Sequence, residues 1–305
     1  MQISILASLN ESTGSSPGRS PVDATVRHLA QLRDEGFGRV WMSQMPSEPD
    51  LLTVLAVVFG EVDGIEIGTG VLPIQNQHPM LMAQRALTLS LISGGRFILG
   101  LGMTHQAITE GMWGIPWDRP IRRMREYLDG LQPLLAGQPV DAPGETVTTR
   151  GALQIPGASA PDVYLAALGP QLLKLAGRRT AGTVTWMTGP ATLAGHISPV
   201  LREAAGTRPV QVVAALPVAV TDDVDGARTQ AARQFAMYGQ LPSYRAMLDR
   251  EGYAGPEDAA IIGSESVVAE RIRSLGAIGV DEYVAVVFDA SPENRARTRA
   301  LLRSL

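Results

Sequence analysis

Residues 80–102 read MLMAQRALTLSLISGGRFILGLG, and this stretch decides the fold class. An apolar helix stops at Ser93-Gly94-Gly95-Arg96 and passes into the short apolar strand Phe97-Ile98-Leu99-Gly100-Leu101, which ends on Gly102. Glycine supplies the left-handed backbone that closes a helix, and a strand apolar on both faces belongs to a parallel sheet covered on both sides. Gly100 and Gly102 fall at the C-terminal end of that strand. Backbone and ligand come close at that end in parallel α/β architectures, and tight packing alone would also call for glycine there.

Outward from this segment the chain alternates. Strands are expected at 3–7, 39–42, 65–71, 97–101, 163–167, 183–187, 210–220 and 283–288. Helices are expected at 22–35, 50–59, 80–92, 119–135, 171–179, 192–205, 225–248 and 266–275, with a last one at 292–302. Eight strand–helix units in 305 residues predict a single (β/α)8 TIM barrel spanning 1–305. The irregular, Gly- and Pro-bearing zone at 103–161 reads as an insertion between the fourth and fifth strands.

Composition excludes several classes. The net charge is −4 and no Lys/Arg run is present, which argues against a nucleic-acid groove. Without cysteine there are no disulfides and no thiolate metal ligands. No basic leader and no long apolar run are seen, so the expectation is a cytoplasmic protein with no membrane partner. The helix at 51–59 is apolar on nearly every side. The next one, with Leu81, Met82, Leu87, Leu89 and Leu91, shows the same excess, and a homodimer is the simplest cover for it, although loops of the same chain would also serve.

Among motifs, Gly14-Ser15-Ser16-Pro17-Gly18 matches the spacing of a serine-hydrolase elbow. Pro17 follows the serine directly and no helix starts there, so a Gly/Ser loop is the better reading. His28, His78, His105 and His196 have no metal-ligand spacing, and His28 and His196 read as surface positions on helices. The run Tyr164-Leu165-Ala166-Ala167-Leu168-Gly169-Pro170 is a strand feeding a helix through Gly-Pro. That turn leaves bare amides for a phosphate, or is simply a well-capped connection.

Taken together, the segments GFGRVWMSQ, IGTGVLP, QHP, LISGGRFILGLGMTH, RPIRRMREYL, VYLAALGPQLLKLAGRR and TVTWMTGP resemble the luciferase-like (β/α)8 oxidoreductase family, in particular its branch that uses coenzyme F-420. The resemblance implies a cis peptide at Gly70–Val71 behind the deazaflavin ring, with Ser43, Gln44, Met103 and Thr104 also against the cofactor. It implies that Leu168 and Gly169 hold the cofactor phosphate and that Gly177 and Arg178 lie near its anionic tail. The sugar-phosphate dehydrogenases of the family carry Ser-Asp-His after the second strand and a glutamate after the fourth. This chain has Ser43-Gln44-Met45 and His105 at those places, so sugar oxidation by that pair is not expected. The resemblance therefore points to an F-420H2-dependent reductase of a C=C or C=N bond in a small substrate. His105 is either the proton donor or a loop histidine that only binds the cofactor. An FMN-dependent luciferase-like monooxygenase, with FMN as cofactor, is the alternative, and a non-catalytic flavin-binding relative a further one.

Overall fold

The computed structural model describes residues 1–9 and 20–305. The Gly14–Gly18 motif lies outside the described residues. Strand β1 (Gln2–Ala7) precedes helix α1 (Pro21–Asp34), and β2 (Arg39–Met42) precedes α2 (Leu51–Glu61). Next come β3 (Glu66–Thr69), the short β4 (Leu72–Pro73) and α3 (Pro79–Ser93). Strand β5 (Phe97–Gly102) is followed by α4 (Gln106–Gly111), α5 (Pro120–Leu135) and the antiparallel pair β6 (Val140–Ala142) and β7 (Thr149–Gly151). Then follow β8 (Val163–Ala166), α6 (Pro170–Arg179) and β9 (Gly182–Trp186), with α7 (Pro190–Thr192) and α8 (Ser198–Ala205) joined by a π turn at Leu193–Ile197. Strand β10 (Gln211–Val220) leads to α9 (Val224–Gln234), α10 (Pro242–Glu251), β11 (Ile261–Gly263) and α11 (Glu265–Ala277), and β12 (Glu282–Val287) leads to α12 (Pro292–Ser304). The alternation is that of a (β/α)8 barrel.

The chain divides into two compact units. The first, residues 7–34 and 38–166, carries β2, β3, β5 and β8 as parallel neighbours in that order, with β4 alongside β5. Its helices start and stop where the sequence offers caps. Asp50 accepts from the Thr53 amide ahead of α2, and His78 accepts from the Met80 amide ahead of α3 with Pro79 in the first turn. Gly94 ends α3 in the left-handed region at φ 62°. Trp41, Phe97 and Leu99 are fully buried; Phe97 meets Phe59 of α2 with ring centroids 6.4 Å apart, and Trp41 meets Tyr164 of β8 at 5.6 Å. Gly68 leaves the space that the Trp41 ring fills, since a Cβ there would stand 2.6 Å from Trp41 Cε3.

The second unit, residues 1–6, 35–37 and 167–305, carries β9, β10, β12 and β1 in parallel order, with β11 extending the far end of β10. Ser4 donates to the buried Glu282 carboxylate at 2.7 Å, and the Val220 amide donates to Thr298 of α12 at 2.8 Å, which ties the last helix to the sheet.

Three expectations are corrected. The strand expected at 65–71 breaks after Thr69 at the Gly70–Val71 bond and resumes at Leu72. The helix expected at 225–248 is two helices. Phe235 leaves α9, a 3-10 turn spans Ala236–Gly239, and Leu241 is extended at ψ 122° because Pro242 follows it. His196 is not at the surface: it is 9% exposed, inside the π turn.

Candidate functional site

In the first unit, β2, β3 and β5 are parallel neighbours, so the residues that follow them share one edge. Ser43 and Gln44, Gly70 and Val71, and Met103, Thr104 and His105 all lie there. The bulge after β3 is fixed on both sides. The Gly70 amide donates to Met42 O at 2.7 Å, and the Ile74 amide donates to Gly102 O at 3.1 Å. The Gly70–Val71 peptide is cis. The glycines of β5 serve this bulge rather than a ligand: a Cβ on Gly100 would stand 1.8 Å from Thr69 O, and one on Gly102 2.5 Å from Val71 Cγ2. Thr69 Oγ1 both donates to Gly100 O and accepts from Gly100 N, each at 2.8 Å.

Gln44 is occupied by its own loop. Its Oε1 accepts from the Leu51 amide at 2.7 Å and its Nε2 donates to Met45 O at 2.7 Å, so its amide sets the entry to α2. Four residues on, burial raises the Glu48 carboxyl pKa, which gives this edge a second titratable group that sequence reasoning missed. His105 stands at the start of α4, where its carbonyl accepts from the Thr109 amide at 3.0 Å. Burial lowers the pKa of its imidazole below 6.5, so the ring is neutral at pH 7 more completely than a solvated histidine. Thr104 N donates to the side-chain oxygen of the buried Gln75 at 3.4 Å, and Arg123 donates to Gln75 O at 3.2 Å. Gln75 therefore positions the strand end that carries Met103–His105. Nothing in its local sequence marks it.

In the second unit, Gly169 caps α6 at φ −80° and Pro170 begins the helix. Glycine has no side-chain acceptor, so the first-turn amides are left to another partner, and a Cβ at Gly169 would meet nothing within 4 Å. Leu168 O accepts from His196 Nε2 at 2.9 Å; a carbonyl only accepts, so that nitrogen carries the proton. His196 reaches the turn from the π turn Leu193–Ile197, a local insertion that regular helical spacing does not reveal.

Gly177 and Arg178 lie at the other end of α6 from this turn. Gly177 is buried against α8, where a Cβ would stand 2.4 Å from Leu201 O, and it offers no surface to a ligand. Arg178 is exposed in the last turn of α6, about 12 Å along the helix from its start at 1.5 Å per residue.

Among the described residues no group of three or more His, Asp or Glu could hold a metal, and no helix is long and apolar enough to cross a membrane.

Comparison with known proteins matches residues 1–282 to the luciferase-like monooxygenase family. A 5,10-methylenetetrahydromethanopterin reductase of Methanolobus tindarius is 30% identical over 283 residues, covering 91% of this chain and 86% of that protein. The coenzyme F-420-dependent tetrahydromethanopterin reductase of Methanopyrus kandleri superposes with a TM-score of 0.79 at 22% identity, over 99% of this chain and 97% of that one. The oxygenating constituent of 3,6-diketocamphane monooxygenase of Pseudomonas putida, in complex with FMN, superposes at 0.75 with 19% identity, again over 99% and 97%. The family model spans residues 1–282 and the reductase relative nine-tenths of the chain: the chain belongs to the luciferase-like monooxygenase family.

Proposed function

We propose that this protein is a coenzyme F-420-dependent reductase that transfers hydride from the reduced deazaflavin to a C=C or C=N bond of a small substrate. The observation that carries the reading is the 30% identity, across nine-tenths of the chain, with a methylenetetrahydromethanopterin reductase. The uncapped start of α6 fits a phosphate-bearing cofactor, because its free amides and helix dipole favour an anion. When bound, F-420H2 supplies the hydride. In the first unit the Gly70–Val71 edge, Ser43, Met103 and Thr104 would hold the ring; in the second, Leu168 and Gly169 would hold a phosphate. His105 hands over the proton that balances the hydride.

FMN remains the second reading, favoured by the likeness to an FMN-bound monooxygenase. Titrating the purified protein separately with F-420 and FMN decides between them. Tight binding of FMN with none of F-420 overturns the proposal.

His196 supplies a test of the phosphate turn. Without its bond to Leu168 O the turn loses one fixed point, and His196→Ala should weaken F-420 binding about tenfold, the worth of one buried hydrogen bond. His196→Gln, which restores a donor, should recover part of it. Fluorescence titration of the deazaflavin reads both. Equal affinity in all three proteins removes His196 from the site.

The dimer is proposed on a narrower surface than the sequence suggests. Met82, Leu87 and Leu89 are buried within the protein, whereas Val57 of α2 and Leu81, Leu91 and Ile92 of α3 are exposed. Apolar side chains of that size are the usual centre of a subunit contact. Light scattering at micromolar concentration should give twice the 32.4 kDa chain mass, and Leu91→Glu should return a monomer. A monodisperse wild-type monomer refutes the contact.

A further inference from the structure

Arg85 of α3 and Arg123 of α5 reach the same short segment after β4 from two helices. Arg123 donates to Gln75 O at 3.2 Å, and Arg85 donates to Gln77 Oε1 at 2.9 Å. Those anchors are two residues apart, at most about 7 Å along the chain. Tyr127 stands one turn after Arg123 on α5 and is buried. Burial pushes its hydroxyl pKa up, and the charges of Arg123 and Arg85 oppose that rise, so both guanidiniums stand within electrostatic reach of the oxygen. Gln75, Arg85, Arg123 and Tyr127 all belong to the first unit.

Two features set this corner apart from ordinary packing. The first is a set of unmet polar atoms, some sealed and some open. The Tyr127 hydroxyl and Arg123 Nε are sealed from solvent without a partner among the described residues, although buried polar groups are nearly always paired. The two arginines are otherwise only half-buried. Arg85 Nε and Nη2 and Arg123 Nη1 have no partner among the described residues and are not sealed. The same holds for Gln75 Nε2, since the Gln75 side-chain oxygen already takes the Thr104 amide. Apart from the Tyr127 oxygen, every one of these atoms can only donate.

The second feature is charge. Neither α3 nor residues 70–78 contain an Asp or Glu. Helix α5 has two. Glu126 accepts from the amide and hydroxyl of Thr146 and from the Val147 amide, and Asp129, two residues after Tyr127, lies on another face of the helix. Glu145 pairs with the neighbouring Arg119 and Arg122, whereas Arg85 and Arg123 have no carboxylate partner among the described residues. A guanidinium fork fits two oxygens of a carboxylate or phosphate, and two such forks here lack one.

We propose that Arg85, Arg123 and Tyr127 form an anion site that holds a carboxylate or phosphate group of the substrate. Gln75 joins the site to the chemistry. Its backbone oxygen takes Arg123 and its side-chain oxygen takes the Thr104 amide, one residue before His105. The substrate is then an unsaturated or imine-bearing acid whose charged end is fixed beside the edge that supplies the proton. The inference rests on the reductase reading for the identity of the reaction, and on the first unit alone for the site.

The test is calorimetric titration with cinnamate, its neutral amide cinnamamide and inorganic phosphate, of the protein alone and of the protein loaded with oxidised F-420. In the loaded protein the cofactor's own phosphate would fill the α6 turn, so inorganic phosphate reports the new site. Wild-type protein should bind at least one of the two anions and not cinnamamide, and added salt should weaken the binding. Phosphate alone makes the group a phosphate ester, and cinnamate alone makes it a carboxylate. Arg85→Met keeps the stem and loses the charge, and should bind about tenfold to a hundredfold more weakly. Tyr127→Phe should bind about tenfold more weakly, yet without ligand its urea midpoint should match or exceed that of the wild type, because an unmet buried hydroxyl is gone. F-420 affinity should be the same in all three proteins. Anion binding by Arg85→Met at wild-type strength, or none by wild-type protein, overturns the site. So does a Tyr127→Phe protein of lower urea midpoint and unchanged anion affinity, which makes the hydroxyl structural. Anion binding lost in Arg85→Met, by a protein that takes up no F-420, leaves the site standing and overturns the cofactor reading instead.

Discussion

His105→Ala should lower the rate of substrate reduction by about 10²–10⁴-fold while leaving F-420 affinity nearly unchanged, the usual loss when a general acid is removed. The edge that carries His105 is fixed by backbone contacts from the bulge and by Gln75, so removing the imidazole leaves the strand ends where they are. If His105 only orients the ring, the same change weakens cofactor binding and spares turnover. Wild-type turnover together with wild-type affinity means that neither role holds and that solvent or Glu48 supplies the proton.

The pH dependence separates these cases further. Burial lowers the His105 pKa, so the imidazolium that donates a proton is populated only on the acid side of 6.5. The rate of reduction should fall as pH rises through that lowered pKa, and the limb should vanish in His105→Ala. Stability runs the other way. The unfolded chain takes up this proton near pH 6.5 and the folded one only at lower pH, so this group destabilises the fold as pH falls below 6.5 and has no effect well above it. A flat rate profile from pH 5 to 8 removes His105 as the donor.

What the sequence makes legible is whatever is settled within a few residues. The stop at Gly94, the Pro79 and Pro170 helix starts and the apolar strand 97–102 are local signals, and the alternation built from them yields the barrel. Pro242 is also a local signal, and it ends an apparent helix that spacing alone extends to 248. The site is less legible because its positioning contacts join distant residues. Gln75 meets Thr104, 29 positions away, and His196 meets Leu168, 28 positions away. Neither pair has a spacing that marks it.

The largest structural effect is expected from the smallest substitution in β5. Gly100→Ala places a methyl group 1.8 Å from Thr69 O and 3.2 Å from Val71 Cγ1. The first of these is backbone, and Thr69 is held by two 2.8 Å hydrogen bonds to Gly100 itself. Relief therefore requires β3 and β5 to separate at the point where the bulge begins, which breaks both bonds. Overpacking a core costs about 1–3 kcal/mol and sometimes more, and each lost hydrogen bond adds about 1, so the expected loss is on the order of 3–5 kcal/mol. Set against a total stability of roughly 5–15 kcal/mol, that brings the variant close to unfolding. Gly102→Ala should be milder, because its 2.5 Å conflict is with the end of the Val71 side chain, which can rotate. Gly169→Ala meets nothing within 4 Å and should leave stability unchanged, while its methyl group hinders approach to the α6 amides and weakens F-420 binding. Urea unfolding of the three variants orders them. If Gly100→Ala unfolds within 1 kcal/mol of the wild type, the Thr69 contact yields easily and cannot be what holds the Gly70–Val71 edge in place.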